Sequence, residues 1–153
     1  MYNDVLFEAV REQLGCKSET DFITTCRKVH ESDYGAMSGF SGFIANQDTC
    51  KFARNNMSLI VDALAQDADE RDMSISQMIA SFKWLGVGNT VEVETYNFER
   101  IFWGVVYDQN NINEEQRDVT RLVLNALAWW TLEHVAFRVA CEAECEEQEF
   151  RRQ

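Results

Sequence analysis

One uninterrupted stretch, residues 114–150, constrains this chain more than any other feature. It contains neither proline nor glycine, the two residues that most weaken a helix interior. Asn113 precedes it as a candidate N-cap, with Gln116 at the third helical position. At 1.5 Å per residue such a helix is about 55 Å long, which exceeds the width of a domain of this mass. We therefore expect part of it to project or to meet a partner.

The middle of this predicted helix is apolar around most of its circumference. Residues 121–132 read RLVLNALAWWTL, and a helix that is apolar on all sides is buried on all sides. We expect this segment to be the central helix of a bundle. Two interpretations of Trp129 and Trp130 stay open: both are ordinary core residues, or one of them contacts a second subunit or another partner.

The rest of the chain also favours helices. Hydrophobic spacing and end signals predict five earlier helices: residues 2–14 closed by Gly15, a helix capped by Ser18, a long helix from Asp48, a short one opened by a capping box of Ser74 and Gln77, and residues 94–106. Residues 87–96, VGNTVEVETY, alternate enough for one short strand. The sequence thus predicts a compact, mainly all-α multi-helix bundle with a long C-terminal helix and at most a minor β element.

Composition indicates one globular domain over residues 1–153, because 46% apolar and 12% aromatic residues are enough for a core. No apolar run approaches the roughly 18 residues of a membrane helix, and the first residues carry acids where a signal peptide carries bases. Five cysteines form an odd set without tight framework spacing, which favours reduced thiols. We expect a cytoplasmic protein that does not bind membranes and has no structural disulfide.

The negative charge is concentrated in the C-terminal two thirds of the chain. Net charge is −12, and residues 57–153 hold 18 acids against 8 bases. Such a field repels phosphate backbones and attracts basic surfaces, so we expect no direct binding of DNA or RNA. The alternative is that the acidity serves solubility alone.

Two acidic clusters are the candidate partner-binding residues: Asp67, Asp69, Glu70 and Asp72 in the first, and Glu142, Glu144, Glu146, Glu147 and Glu149 in the second. Carboxylates at a helix C-terminus oppose the helix dipole, and glutamates at i,i+4 repel one another. Stability alone does not favour this arrangement. Residues 141–153 are therefore either a solvated or frayed helix end without a role or a contact for a basic partner.

The sequence gives weaker evidence for a metal site or a catalytic site than for the acidic clusters. Cys26 with His30, and Cys141 with Cys145, each place two soft ligands one helical turn apart, which makes zinc a weak alternative. The tighter C-x2-C spacing of zinc knuckles is absent, so we expect no metal and no cofactor. Cys26 and His30 are also the one close thiol and imidazole pair, without an obvious oxyanion hole. No catalytic constellation emerges, and we expect a protein that is not an enzyme.

Two segments carry a family resemblance. SGFSGFIANQDTCKFARNN and the later LNALAWWTLEHVA resemble a family of small bacteriophage and prophage proteins with G-F-S-G-F-I-like and N-A-L-A-W-like segments. The likeness covers less than a third of the chain, and this chain departs from the family pattern at Trp130 and in its acidic end. The family has no assigned activity, so the resemblance implies no functional residue and only a mobile-element context.

These observations lead to three hypotheses of function. The first is an acidic nucleic-acid mimic of anti-CRISPR or anti-restriction type, which inhibits a host defence complex by occupying its basic surface. The second is a protein that sequesters a small nucleotide-like signal in the glycine-rich segment, residues 35–43. The third is a structural or assembly accessory protein, and a homodimer is compatible with each.

Overall fold

The computed structural model describes residues 4–31, 49–80, 103–105 and 117–152. Six helices lie in these ranges: α1 (Val5–Leu14), α2 (Glu19–Glu31), α3 (Thr49–Asn55), α4 (Met57–Glu70), α5 (Ile75–Ala80) and α6 (Arg117–Arg152). No strand occurs in the described ranges, and the prediction of an all-α protein with a long C-terminal helix is confirmed. The strand predicted over residues 87–96 lies outside them.

The contacts within the chain form two compact units. One consists of Met1–Asp48 with Trp130–Gln153, and the other is Thr49–Trp129. The first unit therefore contains α1, α2 and the second half of α6, and the second contains α3, α4, α5 and the first half of α6. The expectation of a single domain stays a prediction, because this division does not decide whether the two units fold together.

In the first unit, local capping determines where α1 and α2 begin and end. The backbone N–H of Leu6 donates to Asp4 Oδ1 over 2.8 Å at the start of α1, and the helix closes at Gly15, whose φ of 73° suits glycine. Ser18 Oγ accepts from the N–H of Asp21 at the start of α2. The predicted stop at Gly15 and the predicted Ser18 cap are both confirmed.

The core of the first unit consists of one face from each helix. Buried side chains come from α1, α2 and the second half of α6: Leu6, Phe7, Val10, Phe22, Cys26, Val29, Leu132, Val135, Ala136, Val139, Ala140 and Ala143. They recur at the three- and four-residue spacing of helix faces. On α6 this covered stripe ends at Ala143, and every residue from 144 to 152 is exposed.

In the second unit, the long helix predicted from Asp48 is two helices. The chain breaks at Asn56, where φ is −118° and ψ is 19°, and Asn56 Nδ2 donates to the carbonyl of Phe52 over 2.9 Å. The backbone N–H of Asn56 donates to the same carbonyl over 3.1 Å, so the side chain adds a second bond there, as asparagine commonly does where a helix is interrupted. Sequence spacing alone could not place the break, because the apolar positions continue across it.

Within the second unit, the first half of α6 makes polar contacts with α3. Thr49 Oγ1 donates to Asn125 Oδ1 over 2.5 Å, and the Cys50 thiol donates to the same oxygen over 3.4 Å. The second unit also contains fully buried side chains from α4 and α6: Ile60, Leu64, Val123, Leu124, Leu127 and Ala128. The expectation that residues 121–132 are buried on all sides is met only in part, because Arg121 is exposed and Asn125, Trp129 and Trp130 are partly exposed. In the described ranges, no helix is both long and apolar enough to cross a membrane.

The start of α5 has the predicted capping box. The N–H of Ser74 donates to Gln77 Oε1 over 2.9 Å, and the N–H of Gln77 donates to Ser74 Oγ over 3.1 Å. The two residues thus satisfy each other's backbone donors, which is the reciprocal geometry of the motif. This bond pair directs the chain into a new helix immediately after the acidic end of α4.

Candidate functional site

The second acidic cluster forms the end of α6, and we call Glu142, Glu144, Glu146, Glu147 and Glu149 the acidic helix end. The chain is helical through this cluster to Arg152. Four of the five glutamates are exposed, whereas Glu142 is partly buried. At about 100° per residue, Glu142, Glu146 and Glu149 form one row along the helix, and Glu144 and Glu147 form another. The carboxylates therefore flank α6 on two sides.

One of these glutamates has a partner on another helix. Arg27 Nη1 of α2 lies 2.9 Å from Glu147 Oε1, and 53% of the glutamate side chain stays exposed. The hydrogen bond from Arg27 is the main cause that lowers the pKa of Glu147, and the same bond raises the pKa of Arg27. The pair orients the acidic helix end against α2, but an ion pair so open to solvent contributes little to stability.

The other exposed glutamates have no such partner in the described part of the chain. Its three ion pairs join Arg11 with Glu8, Arg27 with Glu147, and Arg71 with Asp67, so Glu144, Glu146 and Glu149 take part in none of them. Glu146 and Glu149 are exposed, and Glu144, also exposed, is close enough to Arg27 to contribute to the raised pKa of that residue. This set is the part of the acidic helix end that another molecule can reach.

Glu142 differs from its neighbours because part of its carboxyl group is enclosed. Its Oε2 atom is shielded from solvent and has no hydrogen-bond partner within the described ranges. A shielded polar atom without a partner costs about 1–3 kcal/mol in typical proteins. The enclosed carboxyl group of Glu142 thus destabilises the acidic helix end, and Glu142 is a poor candidate for direct contact with a partner.

The first acidic cluster lies where α4 ends, and we call Asp67, Asp69, Glu70 and Asp72 the acidic turn. Arg71 Nε lies 3.2 Å from Asp67 Oδ1, and only 13% of the Asp67 side chain is exposed. The other three acidic residues are exposed. The acidic turn belongs to the second unit and the acidic helix end to the first, so they are two surfaces rather than one described site.

The chain leaves α4 through a Schellman motif with aspartate in the usual glycine position. The N–H of Met73 donates to the carbonyl of Ala68, and the N–H of Asp72 donates to that of Asp69. Asp72 has a φ of 54°, which is left-handed and uncommon outside glycine and asparagine. The acidic turn is therefore constrained by the geometry that ends a helix.

The two tryptophans of α6 are partly exposed, and neither belongs to the fully buried core. The Trp130 ring stacks on the His134 imidazole with 4.6 Å between ring centroids and 15° between planes. Trp129 lies in the second unit and Trp130 in the first. An oligomer or partner contact through either residue stays a prediction.

The four candidate zinc ligands do not come together as a site in the described part of the chain. Cys26 is fully buried, Cys141 is partly buried, and Cys145 and His30 are exposed. His30 instead packs edge-on against Phe137, with 5.3 Å between ring centroids. In the described part of the chain, no three His, Cys, Asp or Glu side chains are placed to hold a metal ion.

Burial also argues against Cys26 as a nucleophile. It raises the pKa of the Cys26 thiol to about 12, with a smaller contribution from Cys16. The thiolate is the reactive form of cysteine, and at neutral pH Cys26 is almost entirely the neutral thiol. The Cys26 and His30 pair is therefore not prepared for nucleophilic chemistry.

Two features of this region could not be predicted from the sequence: the pairing of Arg27 with Glu147 and the exposure of Phe150. Arg27 could not be identified as a partner of Glu147, because they are far apart in the chain and nothing local connects them. Phe150 is 79% exposed, although it follows Ala143 by two helical turns on the buried stripe. The spacing of seven residues from Ala143 predicts the side of the helix on which Phe150 lies. Nothing in the sequence predicts that Phe150 is exposed.

No protein family, curated protein or solved structure matches this chain. The interpretation of both acidic surfaces therefore depends on their own geometry and charge.

Proposed function

We propose that this chain is a non-catalytic interaction protein that occupies a basic, nucleic-acid-binding surface of another protein. The observation that carries the proposal is the set of exposed carboxylates on a continuous helix, with Glu144, Glu146 and Glu149 outside every described ion pair. A rigid helix holds these charges at set spacings, so they can meet a complementary surface without the ordering cost of a flexible segment.

The spacing of these charges supports mimicry of a phosphate backbone. Glu144, Glu146 and Glu149 span about 7.5 Å of helix axis at 1.5 Å per residue, so these three carboxylates supply roughly one charge per 2.5 Å. Duplex DNA carries about one charge per 1.7 Å of its axis. Arg151 and Arg152 follow the glutamates and limit the negative field to that short length.

The partner is expected to be a protein whose basic surface otherwise holds DNA or RNA. Complementary charges increase the association rate and make it sensitive to salt. We further propose a host defence complex of restriction or CRISPR type in the cytoplasm, and the support for that narrower class is the resemblance to bacteriophage proteins. Sequestration of a small nucleotide-like signal has no comparable support, since residues 35–43 lie outside the described ranges.

The test is retention of proteins from a host lysate on the immobilised chain, with a matched variant. The variant is Glu144→Gln with Glu146→Gln and Glu149→Gln, which keeps side-chain shape and removes three exposed charges. We expect the wild type to retain a nucleic-acid-binding complex that moderate salt or added DNA or RNA displaces, as identified by mass spectrometry. Equal retention by the variant, or an eluate without nucleic-acid-binding proteins, would contradict the proposal.

A further inference from the structure

Phe150 extends the inward face of α6 beyond the point where that face is covered. Val139 and Ala143 are buried at 0% and 7% exposure, whereas Phe150 is 79% exposed. The steps of four and seven residues from Val139 to Ala143 and on to Phe150 keep all three on one side of an α-helix. One large apolar side chain therefore stands on this side of α6 two turns beyond the last buried residue, with Glu146 and Glu147 at the positions between.

Carboxylates border Phe150 on both sides. At 100° per residue, Glu146 lies about 40° to one side of Phe150 and Glu147 about 60° to the other. Glu144 and Glu149 extend the two acidic rows, and all four side chains are exposed. The end of α6 thus presents one large aromatic ring between two rows of negative charge.

The charge pattern selects what can cover the ring. Anionic lipid surfaces and nucleic acids are repelled by the surrounding glutamates. A second copy of the chain that docked here through the same face would bring both acidic rows together, which like-charge repulsion disfavours. A basic protein surface gains from both features, because its cations meet the carboxylates while an apolar groove takes the ring.

We propose that the exposed end of α6, residues 144–150, docks into an apolar groove rimmed by lysine and arginine on a basic partner protein, with Phe150 as the anchor. This inference rests on the proposed function and adds the mode of recognition, a helix laid in a groove. The glutamates determine the association rate and its salt dependence, and Phe150 determines how long the complex lasts.

The experiment uses two fluorescent helical peptides of equal length and equal lysine content. One has leucines on a single face, and the other has alanines at the same positions, so that only the apolar area offered to Phe150 differs. Binding to the full chain is measured by fluorescence anisotropy at several salt concentrations. The variants are Phe150→Ala and Phe150→Leu, and Phe137→Ala is the matched control, since Phe137 is a second exposed phenylalanine of α6 at 51% exposure.

We expect the wild type to prefer the leucine peptide by about tenfold, the ratio that corresponds to 1.4 kcal/mol. Phe150→Ala should remove this preference without weakening the binding of the alanine peptide. Phe150→Leu and Phe137→Ala should keep it. Far-ultraviolet circular dichroism of each variant checks that α6 is intact.

The possible failures distinguish this inference from the proposed function. Two results would overturn the groove docking and leave the proposed function of the acidic surface in place. The first is equal, strongly salt-dependent binding of both peptides, and the second is a leucine preference that persists in Phe150→Ala. If Phe137→Ala abolishes the preference as fully as Phe150→Ala, the docking is not specific to the end of α6 and is also overturned. If neither peptide binds in a salt-dependent way, the proposed function itself fails, and the docking mode with it.

Discussion

The acidic turn and the acidic helix end look alike in sequence and differ in structure. Each places four or five carboxylates within eight residues near the end of a helical pattern. In the acidic turn, Asp67 pairs with Arg71 one turn away on the same segment, and Asp72 adopts the left-handed conformation that closes α4. In the acidic helix end, the helix continues, and Glu147 instead pairs with Arg27 of α2.

This difference shows that charge density alone does not define a docking surface. The acidic turn uses part of its carboxylates to end a helix, and its backbone immediately enters the capping box of α5. The acidic helix end keeps its helical geometry and places an exposed aromatic residue among its charges. The second surface therefore combines rigidity, charge and apolar area, which is the combination that protein interfaces use.

The largest expected effect concerns the cores beneath these surfaces. Leu64 of α4 is fully buried, and Leu64→Ala should lower the free energy of unfolding by about 2–5 kcal/mol, because it removes apolar contacts and leaves a cavity. Hydrogen exchange in α4 and α2 then reports on the two units separately. Loss of protection in both would support the single domain that the sequence predicts, and loss confined to α4 would show that the unit carrying the acidic turn opens alone.

Charge removal at each surface should separate their roles. The triple variant Glu144→Gln, Glu146→Gln and Glu149→Gln should weaken binding to the lysine and alanine peptide by about tenfold, and should reduce the dependence of affinity on salt.

The matched variant, Asp69→Asn with Glu70→Gln and Asp72→Asn, removes three charges from the acidic turn and should have a smaller effect in the same titration. Equal losses in the two variants would mean that total charge matters and that neither surface is special.

α1 ends in the same motif as α4, because the N–H of Cys16 donates to the carbonyl of Arg11 and the N–H of Gly15 to that of Glu12. The two ends therefore allow a comparison of backbone strain. Asp72→Gly should raise the free energy of unfolding by up to about 1 kcal/mol, because glycine adopts positive φ without a Cβ clash and the change removes a negative charge near a helix C-terminus. Gly15→Ala, at the equivalent position of α1 with φ 73°, should lower it by about 1–2 kcal/mol. Chemical denaturation measures both, and a destabilised Asp72→Gly would show that the aspartate side chain stabilises the turn.

The smallest effect concerns the Arg27 and Glu147 pair. Because the pKa of Glu147 is lower in the folded protein, the pair stabilises the fold above the ordinary glutamate pKa and loses that effect as pH falls through the lowered value. The difference in Tm between wild type and Glu147→Gln should therefore shrink as pH falls from neutral to well below the ordinary glutamate pKa. In Arg27→Gln, the NMR titration midpoint of Glu147 should rise, and an unchanged midpoint would contradict the assigned cause.

Much of the helical architecture could be predicted because its signals are local. The Ser18 cap, the box of Ser74 and Gln77, and the stop at Gly15 each depend on hydrogen bonds between residues at most five apart. The long α6 depends on the absence of proline and glycine. These features require no knowledge of what packs against the helix.

The candidate site was predictable only in part. The carboxylates were visible in the sequence, and so was the helix that carries them. The ion pair of Arg27 with Glu147 joins α2 to α6 and depends on how the first unit packs. The burial of Cys26 beside the exposure of His30 has the same origin, and it separates ligands that a helical wheel places together.

The sequence by itself determined which residues share a face of α6, because the 3.6-residue period of an α-helix places Val139, Ala143 and Phe150 in one line. The tertiary structure decided which part of that line is covered. Contacts with neighbouring helices bury Val139 and Ala143 and stop before Phe150. Burial depends on atoms that are distant in the chain. It therefore places Val139 and Ala143 in the core and leaves Phe150, on the same line of the helix, at the surface.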